Sequence, residues 1–95
     1  MAQYRTQVKI IADVLNTAKE LNSEGDGVGI TALLRKANMS YGRISKLVTE
    51  LVGSGLLEEL NGDKTSRYII TAKGMQFLVA YQGFEDFAGS FGLRL

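Results

Sequence analysis

The chain has 95 residues, of which 45% are hydrophobic and 22% charged, with a formal net charge of +1. That length holds one small domain, and that balance belongs to a folded globular protein. Cys, His, Pro and Trp are all absent, which excludes a zinc finger, a thiol nucleophile, a Ser-His-Asp triad, the usual haem ligands and any disulfide.

The start, Met1-Ala2-Gln3-Tyr4-Arg5, leads into an amphipathic stretch, so no signal peptide is expected. No apolar run approaches the roughly 20 residues that cross a bilayer. The expectation is a soluble cytoplasmic protein without a membrane partner.

From Arg5 to Asn22, Val8, Ile11, Val14, Leu15, Ala18 and Leu21 recur at three- and four-residue steps, the period of an amphipathic helix. Asn22-Ser23-Glu24-Gly25-Asp26-Gly27 ends it with helix breakers and turn formers. Gly25-Asp26-Gly27-Val28-Gly29 lacks the Gly-Lys-Ser/Thr ending of a phosphate-binding loop and follows a helix, so it is expected to be a flexible connector. Ile30, Leu33, Leu34 and Ala37 form a second, shorter helical pattern, capped by Gly29 or Thr31. Asn38 suits the left-handed position that ends a helix. Only Met39 then precedes Ser40, a good N-cap for a third helix whose core face is Ile44, Leu47, Val48 and Leu51. Two helices so closely spaced form a helix-turn-helix pattern.

After Gly53-Ser54-Gly55 the period changes. Leu56–Leu60 and Arg67–Ile70 read as two strands around Asn61-Gly62-Asp63-Lys64-Thr65, and Asn-Gly is a strong hairpin signal. A hairpin directly after a helix-turn-helix is a wing. Thr71 caps a last helix over about 72–88. The expected fold is therefore α+β, mostly α, a single domain over 1–95 with three helices, a two-stranded wing and a C-terminal helix.

Ala37-Asn38-Met39-Ser40-Tyr41 stands at the turn, and Leu47, Leu51, Gly55, Leu56 and Leu57 lead into the wing. Tyr68, Thr71, Lys73-Gly74, Phe77-Leu78 and Tyr81 follow. In this order, from about Tyr4 to Tyr81, the chain resembles the archaeal winged helix-turn-helix family that includes small chromatin-associated DNA-binding proteins. The resemblance implies DNA binding and pairing through a long C-terminal helix. Gly83, Gly89 and Gly92 depart from it, because they interrupt what the coiled-coil members continue as helix.

Between Arg35 and Lys46 there are four basic residues (Arg35, Lys36, Arg43 and Lys46) and no acidic one. The near-neutral total thus conceals a local basic face, whereas Glu20, Glu24 and Asp26 gather around the first loop. A helix presenting Ser40, Tyr41, Arg43, Ser45, Lys46 and Thr49 can enter a major groove with its N-terminal half leading. Arg43 suits a guanine or a phosphate and Lys46 a phosphate. Lys64 and Arg67 on the wing suit the DNA backbone or minor groove, and Arg35 and Lys36 suit flanking phosphates. A charged helix face is also the ordinary solvated face, with Lys46 and Glu50 as an i,i+4 pair. Tyr41 either packs on the wing or reaches a phosphate.

Five of the eight aromatics lie at or after Phe77. Phe77, Tyr81, Phe84, Ala88 and Phe91 step by four, three, four and three, the rhythm of a helix–helix seam. They either pack back on the first helix or form a homodimer interface, and a domain this small favours the second. Met75, Leu78 and Val79 are left for the domain's own core, and Gly83 for a bend or a close contact. The adjacent carboxylates Glu58-Glu59 and Glu85-Asp86 diverge, so no catalytic site, metal or cofactor is expected. The expected function is a duplex-DNA-binding transcription regulator or chromatin-associated protein, the alternative being a winged-helix module that binds proteins only.

Overall fold

A computed structural model describes residues 6–22, 25–61 and 66–93. Four helices, α1 (Gln7–Leu21), α2 (Ile30–Ala37), α3 (Tyr41–Gly53) and α4 (Ala72–Gly89), surround a small sheet. Its strands are β1 (Val28–Gly29), β2 (Leu57–Asn61) and β3 (Ser66–Ile70).

Three of the helices begin where a hydroxyl accepts a backbone N–H left without an intrahelical partner. Thr6 Oγ1 accepts from Lys9 N at 3.1 Å, Ser40 Oγ from Arg43 N at 3.4 Å and Thr71 Oγ1 from Gly74 N at 3.0 Å. Gly29 is the N-cap of α2 and makes no side-chain cap bond. Asn38 ends α2 in the left-handed region, at φ 55 and ψ 49.

The core gathers the inward sides of the first three helices. Val14, Leu15, Leu33, Ile44, Val48 and Leu57 are its largest fully buried side chains. The face of α1 differs from the expected stripe: Val8 and Leu21 are exposed, while Ile10 and Ala12 are buried. The reason is that α1 is packed against α2, α4 and β3 together, so more than one side of the helix is covered.

The sheet has the order β1-β3-β2, all antiparallel. β2 and β3 are the expected wing, with Leu57 opposite Ile70 and Asn61 opposite Ser66. The supposed connector adds a third strand, because Val28 and Gly29 pair with Tyr68 and Arg67. Gly27 makes this possible. It sits at φ +87, and a Cβ there would press on Arg67 Cβ and the Tyr68 backbone at 3.1–3.2 Å.

Thr71 joins the wing to α4 and to the end of α3, since its Oγ1 also donates to the Gly55 carbonyl at 2.6 Å. Gly74 lies against the same corner, where a Cβ would run into the Leu56 carbonyl oxygen and would meet Ile70 Cγ1 at 2.6 Å. At Gly83, by contrast, the helix is continuous and a Cβ would meet nothing within 4 Å. The close contact expected at Gly83 therefore belongs to Gly74. Among the described residues no helix is long and apolar enough to cross a membrane.

Gly74→Ala should lower unfolding stability by at least about 2 kcal/mol through overpacking. Gly83→Ala should raise it by about 1 kcal/mol through helix propensity. Urea denaturation of both variants against the parent checks the pair.

Candidate nucleic-acid interface

The corner between α2 and α3 decides which side chains reach solvent. Leu33 and Ala37 of α2 and Ile44, Leu47, Val48 and Leu51 of α3 turn inward. Arg35, Lys36, Ser40, Tyr41, Arg43, Lys46 and Thr49 are left exposed, and Ser45 is half-buried. None of Arg35, Lys36, Arg43 and Lys46 makes a side-chain hydrogen bond or ion pair among the described residues. Lys46 and Glu50 therefore form no i,i+4 bridge. Four uncompensated cations share the outer side of one helix-turn-helix, without a carboxylate between them in the sequence.

The hydroxyls are more constrained than the cations. Ser40 Oγ is engaged as the cap of α3. Thr49 Oγ1 donates to the Ser45 carbonyl at 3.0 Å, one turn back along the helix. Its oxygen can still accept a bond, but its proton is taken.

Beside this face lies a groove of about 720 Å³ between α2, the first half of α3 and the sheet. Arg35, Tyr41, Ser45, Ser66, Arg67 and Tyr68 supply its polar and aromatic lining. Tyr41 is 63% exposed, so its ring borders the groove without being covered by the wing. Tyr68 is half-buried against the core. Burial, then the neighbouring Glu59 and Tyr41, raise its phenol above the ordinary tyrosine value, which leaves it a protonated donor at neutral pH.

Arg67 departs from the simple wing contact. Its Nε donates to the Asp26 carbonyl at 3.0 Å and its Nη2 to the Gly27 carbonyl at 2.7 Å. The guanidinium thus clamps the loop before β1 onto β3. Lys64 lies outside the described residues.

The aromatic stripe of α4 is divided. Phe77 packs against the core and Tyr81 is half-buried, its hydroxyl donating to Glu85 Oε2 at 3.3 Å. Phe84 and Phe91 are exposed. Ala88 is buried, at the point where the chain turns back and Leu93 N donates to its carbonyl at 3.1 Å. Phe87, outside the expected seam, is 62% exposed and meets Phe91 edge-to-face, with ring centroids 5.2 Å apart. Val79, assigned from sequence to the core, is 75% exposed, whereas Leu78 does pack against it. Three readings thus need correction: Ala88 is covered by its own chain, and Met75 and Val79, expected in the core, are both exposed beside the cleft between α1 and α4.

Among the described residues no three His, Cys, Asp or Glu side chains are grouped to hold a metal ion.

Comparison with known proteins places this geometry. A family model described as winged helix-turn-helix matches residues 4–89. Among solved structures, Sso10a-2, a DNA-binding protein from Sulfolobus solfataricus, superposes with a TM-score of 0.78 at 23% identity, covering 92% of this chain and 85% of that one. MepR, a transcription regulator of the Staphylococcus aureus multidrug efflux pump MepA, gives 0.71 at 13% identity, covering 86% of this chain and 60% of MepR. AF1382 from Archaeoglobus fulgidus gives 0.68 at 16% identity, covering 86% and 89%. Among curated proteins none matches the chain in sequence. At these identities the structural likeness shows the fold alone.

Proposed function

Because the chain belongs to the winged helix-turn-helix family, we propose that it binds duplex DNA, as a transcription regulator or a chromatin-associated protein. The observation that carries this is the set of four unpaired cations on the outer side of α2 and α3. A merely solvated helix face mixes signs and pairs them. Here no acidic residue lies between Arg35 and Lys46 in the sequence, and Glu50, which borders the same cleft as Arg43 and Lys46, bridges neither. The printed descriptions of Sso10a-2 as DNA-binding and MepR as a transcription regulator agree with that assignment.

In the proposed complex α3 enters the major groove with Tyr41 and Arg43 leading. Arg43 contacts guanine or phosphate through its planar fork, and Lys46 acts as a point charge on a phosphate. Arg35 and Lys36 hold the flanking backbone, and Lys64 is a further candidate for a backbone contact. Ser40, Ser45 and Thr49 contribute oxygens to the same face. Arg67, with two of its nitrogens committed to the loop before β1, orients the wing.

We also propose that two copies pair through the uncovered end of α4. Phe77 and Phe84 lie seven residues apart on one stripe, which passes from covered to exposed along the helix. Phe84, Phe87 and Phe91 would then be covered by their counterparts in a two-fold arrangement.

Duplex titrations at several salt concentrations test the first proposal. Affinity should fall with a log–log slope of about −0.9 per neutralised phosphate, and R43E with K46E should abolish most of it. Unchanged affinity in that double variant would refute the assigned face. For the second, sedimentation equilibrium at tens of micromolar should show a dimer that F84S with F91S converts to monomer. A monomeric parent protein would refute the pairing.

A further inference from the structure

We propose that the groove between α2, the start of α3 and β3 is a binding site for a small planar aromatic anion of the carboxylate class, and that its occupant competes with DNA. The competition rests on the DNA-binding proposal; the site itself does not.

Charge gives the first part of the ligand. Arg35 and Arg67 both line the groove, and among the described residues no Asp or Glu does. Glu59, opposite Tyr68 in the β2–β3 register, lies outside the lining. Two smaller clefts mix signs: one of about 330 Å³ between α1 and α4 sets Lys9 and Lys19 beside Asp13 and Glu85, and one of about 360 Å³ on α3 sets Arg43 and Lys46 beside Glu50. That mixture selects no sign; the larger groove does.

The guanidinium of Arg67 is fixed in advance. Its bonds to the Asp26 and Gly27 carbonyls use Nε and Nη2, and leave Nη1 without a hydrogen-bond partner among the described residues. Gly29 lies beside that nitrogen: a Cβ there would meet only Nη1, at 4.0 Å, so a longer side chain at this position would reach it. A donor already held in place costs little ordering when it receives a carboxylate oxygen. Arg35, which also lines the groove and makes no side-chain hydrogen bond among the described residues, supplies the second cation.

Shape gives the rest. Tyr41 and Tyr68 present aromatic surface, and Val28, Ile30 and Ala32 add an apolar lining. A bare inorganic anion leaves that lining unused, and a neutral ring leaves both guanidinia without a counter-charge. A planar ring carrying one carboxylate satisfies both, through stacking on phenol or guanidinium and a charge-assisted hydrogen bond. About 720 Å³ falls within the range of small-molecule sites. Arg35, Tyr41 and Ser45 belong both to this lining and to the proposed DNA face, so the two occupants exclude one another.

Isothermal calorimetry of the full chain with 2-naphthoate, without DNA, tests the site. One 2-naphthoate per chain is expected, weakened at least tenfold by Gly29→Leu, which fills the space before Nη1, and by Arg35→Gln. Phe84→Ser should leave it unchanged. Equal binding by a Gly29→Leu variant that melts like the parent would overturn the site. So would binding of inorganic phosphate or 2-naphthamide as tight as that of 2-naphthoate. If Gly29→Leu does not fold, Arg35→Gln decides alone. In a second arm, 2-naphthoate at 100 times its Kd should raise the apparent Kd for duplex about 100-fold. An unchanged duplex Kd, with calorimetric binding intact, would overturn the competition. Failure of the ligand-free chain to bind duplex would instead overturn the DNA assignment and leave the calorimetric result to stand on its own.

Discussion

Asn38, at φ 55 the one left-handed non-glycine among the described residues, decides what this domain can present. It ends α2 within one residue and leaves only Met39 before Ser40 restarts the chain as α3. Most side chains would pay about 1 kcal/mol or more in that conformation, whereas Asn tolerates it well. Because the turn is so short, the buried faces of the two helices meet one core, Leu33 and Ala37 on one side and Ile44, Leu47 and Val48 on the other. The polar faces then have one direction left. Arg35, Lys36, Arg43 and Lys46 are outward together as a consequence of packing, and their charge becomes a surface property that the net +1 does not show.

The sheet turns that face into a site with walls. β3 lies between β1 and β2, so the wing is not a free hairpin but is held at its base on both sides. Arg67 ties it to the loop before β1, and Thr71 ties it to the end of α3 and the start of α4. Gly74 allows α4 to approach the Leu56 carbonyl and Ile70. These contacts set the separation between the wing and α3, and hence the groove that Tyr41 and Tyr68 share. Beyond that anchor α4 runs beside α1 to Glu85 and on to Gly89, with Phe84 and Phe87 exposed near its end and Phe91 just after it.

The helices were legible in the sequence because their signals are local. Ser40 and Thr71 cap where capping residues belong, and the apolar periods of α2 and α3 match the sides that are buried. β1 was not legible. Two residues, Val28 and Gly29, cannot display an alternating pattern, and their pairing with Tyr68 and Arg67 spans about forty residues of sequence. The same distance concealed the role of Arg67, whose charge marked it for the wing but whose partners are backbone carbonyls. Periodicity grouped Ala88 with Phe84 and Phe91, but could not show the turn at Gly92 that brings Leu93 back over it. It likewise placed Met75 and Val79 in the core, whereas both are exposed and border the open cleft between α1 and α4. The cationic face could be counted from sequence, but that its members are unpaired is a fact of three dimensions.

The central claim is that the outer side of α2 and α3 is the face that meets DNA. Amide NMR spectra recorded as a short duplex is added test it residue by residue. The account predicts that the largest shifts fall on Arg35–Lys36 and Ser40–Lys46, with Val79, Phe84 and Phe87 of α4 little changed. Shifts concentrated on α4, with the amides of Ser40–Lys46 unmoved, would contradict it.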